Sequence, residues 1–493
     1  MAEIFLHGRE TIERDAGNPR YVAAIDSGII WLVGTAPSAN ETLYPLNQPK
    51  VMRGFEDFPQ GLGSAGTLPD QLSRVLQQAG RMSQTVYFAR VAEGANAAEG
   101  IANVLGSRSA RTGLHALSRV PGLFNQRPKL LCAPGFTSLR PTTGAASVSV
   151  TDGGEAYTRT PVVTVARGVG DTTGTGMQIG VTINAGGEVD AAFVINPGIG
   201  YTAAPVITVA RAEGDSTGTG ATLSVTLGAS ANPVAAELAT LANRNRAMAV
   251  VTGPNTDAAA AVNYRLDFDS DRLMVLDPFA LFEKGGTPTS MPADAAVCGL
   301  QARVDYEEGF WVSPSNHVVN GVLGTHRPIE HSLSDRSVES QYLNRNHVST
   351  IVRSPQGGWK LFGNRVAASD PLKVFWSVRR AHDVIIESIE IASEVFMDKP
   401  FSKQNLVDIA ETVNRAIRRW QALGATLGGR VWLDPALNTA ESLSSGILYI
   451  HYDGEAPAPM EHIVFVFNRN TGYYNTVLAS AAREIARQSA LAG

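Results

Sequence analysis

Four constellations in this sequence have the residue types for chemistry, and each fails on spacing or context. Gly61, Gly63 and Gly66 match the glycine fingerprint that lets a backbone approach a pyrophosphate. That fingerprint follows a buried strand, whereas FEDFPQ precedes it here, so the reading is a loop. His326, Glu330 and His331 are metal-ligand types, but Pro328 blocks the helix that would bring both imidazoles to one face, and no third ligand is in register. Asp267, Asp269 and Asp271 alternate like the opening of a calcium loop. Such a loop needs Gly at its sixth position and Glu at its twelfth, where this chain has Arg272 and Pro278. Cys132 (KLLCAPG) and Cys298 (AAVCGLQ) lie in short apolar runs, where a thiol behaves as a small buried hydrophobe. No phosphate loop or HExxH occurs, and the nine His and two Cys never place a nucleophile beside a base. The expectation is a protein that is no enzyme, with no catalytic residues, no cofactor and no metal.

The elements around these positions read as alternating strands and helices. Residues 21–36 give an apolar strand, 68–80 a helix with Pro near its start, and 85–91 another strand. KLLCAPG is a buried-type strand, and PVAAELATLANRNRAMAVVTGP is a helix followed by a second one. After the start signal Asp370-Pro371, Val378, Ala381, Ile385, Ile389, Ala392 and Phe396 recur at helical spacing. A second helix runs from Ser402 to a stop at Gly424, with Leu406, Ile409, Val413, Ile417 and Trp420 on one face. GILYIHYD and HIVFVFNR then alternate as two strands separated by GEAPAPME. The fold class is α/β and α+β, multidomain.

Between the KLLCAPG strand and the helix after it, the sequence repeats itself. Tyr157, Pro161, Arg167, Asp171, Gly174 and Gly176 recur as Tyr201, Pro205, Arg211, Asp215, Gly218 and Gly220, each 44 residues later. Each unit is a turn, a Val/Thr strand, a Gly-rich turn and a second alternating strand. Two copies are too few for a free solenoid, so residues 137–229 read as an inserted all-β domain whose units pack on each other. Without them, a β-α-β crossover closes up.

Composition narrows the functional class further. With 493 residues and about 150 per domain, roughly three domains are expected. The 41 basic and 46 acidic residues give a net charge of -5, so no bulk field draws the chain to nucleic acid or an anionic membrane. Charged residues make up 18%, below the usual ~25%, as extensive interfaces would produce. Two cysteines exclude a disulfide framework. No apolar run approaches the ~18 residues of a membrane span, and MAEIFLHGRE is not a signal peptide, so the expected setting is a cytosol.

The order of segments carries a resemblance. HGRETIERDAGNPRYVAAIDSGIIWLVGTAP with ETLYPLNQPKVM, then KLLCAPGF, RAMAVVTGP, Val304-Asp305 with GFWVSPSN at 309–316, and GGWKLFGNRVAASDPLKVFWSVRRAHDVIIESI resemble successive landmarks of contractile bacteriophage tail sheath proteins. The likeness is to sheaths of P2-like and Mu-like phages and of tail-derived bacteriocins, and it covers most of the chain outside 137–229. It implies a tail-sheath core carrying the inserted repeats. The implied domains are an N-terminal linking arm (1–20), a discontinuous α/β domain (21–136 and 230–355), a C-terminal α+β domain facing the tube (356–469), and a linking extension (470–493).

The resemblance also implies a function: a structural subunit of a helical sleeve of stacked hexameric rings, which contracts to drive the tail tube through the host envelope. Implied partners are other copies of itself, the tail tube protein, and baseplate and tail terminator proteins. The implied location is the virion tail, after assembly in the host cytoplasm. Inter-subunit strand exchange falls on Glu3, Ile4, Phe5 and Leu6 at one end, and on Tyr473, Tyr474, Asn475, Thr476, Val477 and Leu478 at the other. Turn-formers at 15–19 and 468–472 would supply the hinges. Arg415, Arg418 and Arg419, opposite the apolar face of the 402–422 helix, are candidate tube contacts, although a solvated helix face is the default reading of exposed charges there. A different function, recognition of a surface glycan by the repeats, is also open at this point.

Overall fold

The computed structural model describes residues 24–80 and 82–491. Apolar β-branched runs become the strands of a central sheet, and the amphipathic segments between them become its covering helices. In chain order these are β1 (Ile30–Thr35), β2 (Pro49–Arg53), α1 (Leu68–Gln78), β3 (Thr85–Val91), α2 (Ala97–Leu105), α3 (Val120–Phe124) and β4 (Leu130–Cys132). Six further strands follow: β5 (Gly144–Asp152), β6 (Val162–Ala166), β7 (Gln178–Ile183), β8 (Val189–Asn196), β9 (Val206–Ala210) and β10 (Thr222–Gly228). The sheet then resumes through α4 (Pro233–Asn245), β11 (Met248–Thr252), α5 (Ala258–Leu266) and β12 (Leu273–Leu276).

The eight-stranded sheet has the order β17-β16-β12-β11-β4-β1-β3-β2, with β16 (Val348–Arg353) and β17 (Trp359–Phe362) at one edge. All neighbours from β16 to β3 are parallel. Parallel strands are buried on both faces, which is why β1, β4, β11 and β12 carry no solvent-facing position. A small antiparallel sheet of β13 (Ala280–Lys284), β14 (Thr287–Met291) and β15 (Val322–Thr325) stands beside it. Helix α6 (Asp294–Glu307) covers one face and is buried almost all round, and α7 (Glu339–Arg345) leads into β16. β4 and β11 are adjacent and parallel although more than a hundred residues separate them, the crossover expected from the flanking sequences. No described helix is long and apolar enough to cross a membrane.

The repeated residues serve the packing of one unit on the other. β5 pairs with β10, β6 with β9 and β7 with β8, all antiparallel, so every ladder joins the first repeat to the second. Asp171 accepts from Thr173 and Gly174 in its own turn and from Thr202 N in the other repeat; Asp215 does the same with Thr217, Gly218 and Thr158. These backbone donors hold both carboxyls below the ordinary Asp range. The Tyr201 ring covers Gly174 and the Tyr157 ring covers Gly218, where any Cβ would clash. Chain entry and exit meet: Ser230 N donates to Pro141 O (2.9 Å), and the Asn232 side chain bonds Phe136 O and Leu139 O.

Two predictions follow from the packing. Ala156 sits at φ 61 where its counterpart in the second repeat is Gly200 at φ 74. The left-handed region costs a Cβ-bearing residue roughly 1 kcal/mol, so Ala156→Gly is expected to raise stability by about 0.5 kcal/mol in urea, and Gly200→Ala to lower it. Asp294, at the first turn of α6, is fully buried, and the lowering pull of the nearby Ala295 backbone and Thr252 hydroxyl is weaker than the cost of that burial. Burial pushes its pKa to about 7. The folded state therefore keeps a proton that the unfolded chain has already lost, and stability falls as pH rises from about 4 to 7, by roughly 4 kcal/mol in all. Asp294→Asn is expected to abolish that fall when melts are compared between pH 4 and pH 8; parallel pH profiles for both proteins would refute it.

Candidate assembly surface

The C-terminal region is built on α8 (Trp376–Ser393) and α9 (Lys403–Leu423). Ser402 Oγ caps α9 by accepting from Asn405 N (3.1 Å), and Gly424 ends it at φ 84. Val378, Ala381, Val384 and Ile389 of α8 share a core with Val413, Ala416, Ile417 and Trp420 of α9. This leaves Arg415, Arg418 and Arg419 exposed on the other side of α9, where the sequence pattern put them. Arg418 lies 3.4 Å from Glu411, and Arg415 Nε donates to Glu411 O.

Beyond α9 the chain has little ladder of its own. β18 (Val431–Trp432) and β19 (His451–Tyr452) pair over two residues each, with the short α10 (Ala440–Ser444) between them. The strand expected across GILYIHYD is thus confined to its end, and HIVFVFNR forms no ladder within the described residues. Its side chains are nevertheless strand-like in type and open to water: Ile463 is 58% exposed, Phe465 89% and Phe467 91%.

The expected donated strand at Tyr473, Tyr474, Asn475, Thr476, Val477 and Leu478 is corrected in its secondary structure: these residues open α11 (Tyr473–Leu491). The Asn470 side chain turns the chain by accepting from Gly472 N, and the segment that follows is rich in Ala, with Arg487 pairing Glu484 three residues away. Alanine density and i,i+3 pairs favour helix over strand. The placement of a strand there came from the family resemblance and not from these residues. Residues 459–493 form a compact unit by themselves. Glu3, Ile4, Phe5 and Leu6 lie outside the described residues.

A second feature went unread in the sequence: α8 carries a charged face as well as an apolar one. Its buried Asp383 pairs with Arg272, at the amino end of β12, and Arg272 Nη2 donates to Asp383 Oδ1 at 2.8 Å. Glu387 pairs with Lys129 before β4, Glu390 with Arg246 before β11, and Arg379 with Asp271 (3.3 Å). Burial lowers the Lys129 pKa against the opposing pull of Glu387. Polar residues at 379, 380, 383, 387 and 390 share a helical face, a signal visible in the sequence but masked by the stronger apolar stripe.

The constellations that open the sequence are structural. Gly61, Gly63 and Gly66 all have positive φ, and their loop packs on the carboxyl end of β1, where Thr35 N and Thr67 Oγ1 bond at 3.1 Å. A Cβ on Gly66 would lie 2.3 Å from Thr35 O, so backbone occupies the place where a nucleotide phosphate would approach such a sheet. Asp267 pairs with Arg140, Asp269 accepts from Ser369, and Asp271 meets Arg379, three different directions. His331 Nδ1 meets Ser340 Oγ (3.0 Å) and its ring packs edge-on against Phe362, while neighbouring Arg327 pairs with Asp277 and Glu339. No group of three or more metal-ligand side chains converges among the described residues. Cys132 and Cys298 are free and fully buried, and burial raises the Cys132 pKa.

Comparison with known proteins gives a consistent result. The model of the phage tail sheath protein central domain matches residues 221–366. The tail sheath protein of Burkholderia phage BcepMu is 30% identical over 521 aligned residues, covering 97% of this chain and 99% of that protein. The tail sheath protein of Escherichia phage P2 is 23% identical, covering 93% and 94%. Among solved structures, the helical sheath of the anti-feeding prophage in its contracted state superposes with a TM-score of 0.58 at 16% identity, covering 95% of this chain and 100% of that one. The sheath complex of an extracellular contractile injection system, PVC, in its contracted state gives 0.56 at 12% identity, covering 95% and 100%.

Asp383→Asn strands the buried Arg272 guanidinium without its counter-charge, so a loss of about 3–5 kcal/mol is expected in urea unfolding. Arg418→Ala, which breaks an exposed pair, is expected to leave the midpoint unchanged. Equal effects would show that burial does not set the strength of these contacts.

Proposed function

This chain belongs to the phage tail sheath protein family, and on that premise we propose that its copies stack as hexameric rings into a helical sleeve around a tail tube. The sleeve shortens to drive the tube through a cell envelope. The protein is a contractile tail sheath subunit of a phage or phage-like injection system, a structural role and not an enzymatic one. Other copies, the tube, the baseplate and a terminator are its proposed partners, and assembly takes place in the host cytoplasm before the sheath becomes part of the virion tail.

The observation that carries this reading is the exposed run from Ile463 to Phe467. Five large apolar side chains follow one another along a segment with no ladder partner among the described residues. Covering them would contribute on the order of 10 kcal/mol. An extended segment added to the edge of a sheet satisfies its backbone and seats alternate side chains in one step. The two-residue β18–β19 ladder is too short to be stable alone, so a neighbouring copy's β18–β19 edge is the proposed acceptor of residues 462–467. This moves the C-terminal strand exchange upstream of Tyr473–Leu478, whose residues follow it as helix. Residues 1–20, with Glu3–Leu6, are the proposed strand at the other end.

The remaining assignments follow in the same frame. Residues 21–136 and 230–355 are the α/β domain, 356–469 the part that faces the tube, and 470–493 the linking extension. Arg415, Arg418 and Arg419 are proposed to meet acidic groups on the tube. Residues 137–229 are an inserted β domain. Its repeated Tyr and Asp residues are spent on holding the two units together, so they do not support a glycan site.

The test is assembly. Purified protein is expected to form hollow cylinders in negative stain, and Phe465→Asp with Phe467→Asp to leave folded, discrete particles. Cylinders that persist in the double variant would contradict the proposed strand addition.

A further inference from the structure

The first described residues are tied down more firmly than a chain end needs to be. Ile25 N donates to Ser388 Oγ on α8 at 3.1 Å. Ser27 Oγ donates to Asp305 Oδ2 at 2.6 Å, and Ser27 O accepts from Arg380 Nη2 at 3.0 Å. Arg380, on α8, in turn grips Asp305, near the end of α6, through two parallel bonds of 2.7 and 2.6 Å. Both side chains are almost wholly buried, 2% and 7% exposed. A bidentate guanidinium–carboxylate pair out of water is among the strongest and most directional polar contacts available. Gln301 Nε2 supports Asp305 from the same helix at 2.7 Å, and Trp376 Nε1 holds Gln301 at 2.8 Å. Two residues of chain, Ile25 and Ser27, are thus bonded to two helices before β1 begins at Ile30.

We infer that Arg380 and Asp305 make Ile25–Ser27 a load-bearing joint, at which tension arriving along the chain from residues before 24 passes into α8 and α6 and bypasses β1. The inference rests on the proposed reading that the N-terminal segment is held by another subunit. β1 lies inside the sheet between β3 and β4, so a pull on it would be borne by the core. α8 is the better recipient: it already holds the amino ends of β4, β11 and β12 through Glu387, Glu390 and Asp383, and it shares its apolar face with α9. A pull delivered there moves the α/β part and the α8–α9 pair as one body. Arg380 is a positioning residue in this scheme, since it acts through Ser27 O and Asp305 and touches no partner itself.

The experiment uses the full chain carrying Arg380→Met, Asp305→Asn or the conservative Arg380→Lys. Hydrogen exchange is followed by mass spectrometry on unassembled protein, and sleeve integrity by microscopy after contraction is triggered. Expected for Arg380→Met is about tenfold faster exchange in peptides spanning 24–29, with β11 and β12 unchanged, and sleeves that break into short pieces on contraction. Arg380→Lys is expected to recover much of the protection. Unchanged exchange at 24–29, or equal acceleration throughout the protein, would overturn the joint. Local loss of protection with sleeves that contract intact would overturn its load-bearing role. Should Arg380→Met fail to fold, Asp305→Asn and Arg380→Lys carry the same comparison. Failure of the unmodified protein to form sleeves would count against the proposed function and leave the exchange result standing for the joint.

Discussion

A strand-forming segment with no ladder partner among the described residues is the constraint from which the assembly reading follows. Ile463, Val464, Phe465, Val466 and Phe467 have the side chains of a buried strand and the exposure of a loop. Water does not tolerate such a run as an end state, because the apolar area and the unpaired backbone both favour association. The C-terminal part of the chain also holds a short ladder of only two residue pairs between β18 and β19, which is the proposed acceptor. On the proposed reading, donor and acceptor in one sequence would make a self-complementary unit, whose repetition would build a lattice instead of a closed dimer.

If the ends link, the body must transmit. The ion pairs between α8 and the amino ends of β4, β11 and β12 are the physical means. The two buried ones, Arg272–Asp383 and Lys129–Glu387, contribute little net stability relative to apolar packing, yet are costly to break one side at a time, whereas Arg246–Glu390 is exposed. They fix geometry more than they add free energy. A part that must rotate without deforming gains from that property, and Arg272, Lys129 and Arg246 each hold α8 against a different strand. The repeat region is joined to this body through adjacent entry and exit points at Pro141 and Ser230, so its two interlocked units fold on one another without altering the crossover from β4 to β11.

Much of this was legible in the sequence where local and tertiary preferences agree. The helix that begins with Leu68-Pro69, the strand at Thr85–Val91, the β4–α4–β11 crossover, and the limits of α9 at Ser402 and Gly424 all follow from apolar period and end signals. The 44-residue offset located the repeats, but not the exchange of ladders that explains why Tyr157 and Asp171 recur. Legibility failed where structure depends on what is not local. Arg272 and Asp383 are more than a hundred residues apart, and nothing in either neighbourhood announces the pair. HIVFVFNR reads as a strand because its residues are suited to one, and only the fold shows that no partner strand is supplied from within the described chain. Strand exchange at Tyr473–Leu478 was placed from the family resemblance, which takes no account of the helix-forming alanines that follow.

The most direct test of the central claim is a helical reconstruction of the assembled particle at a resolution that traces backbone. The account predicts density in which residues 462–467 of one copy are hydrogen-bonded along the β18–β19 edge of an adjacent copy. Density showing that segment folded back onto its own chain, with every C-terminal sheet completed from within a single copy, would contradict it.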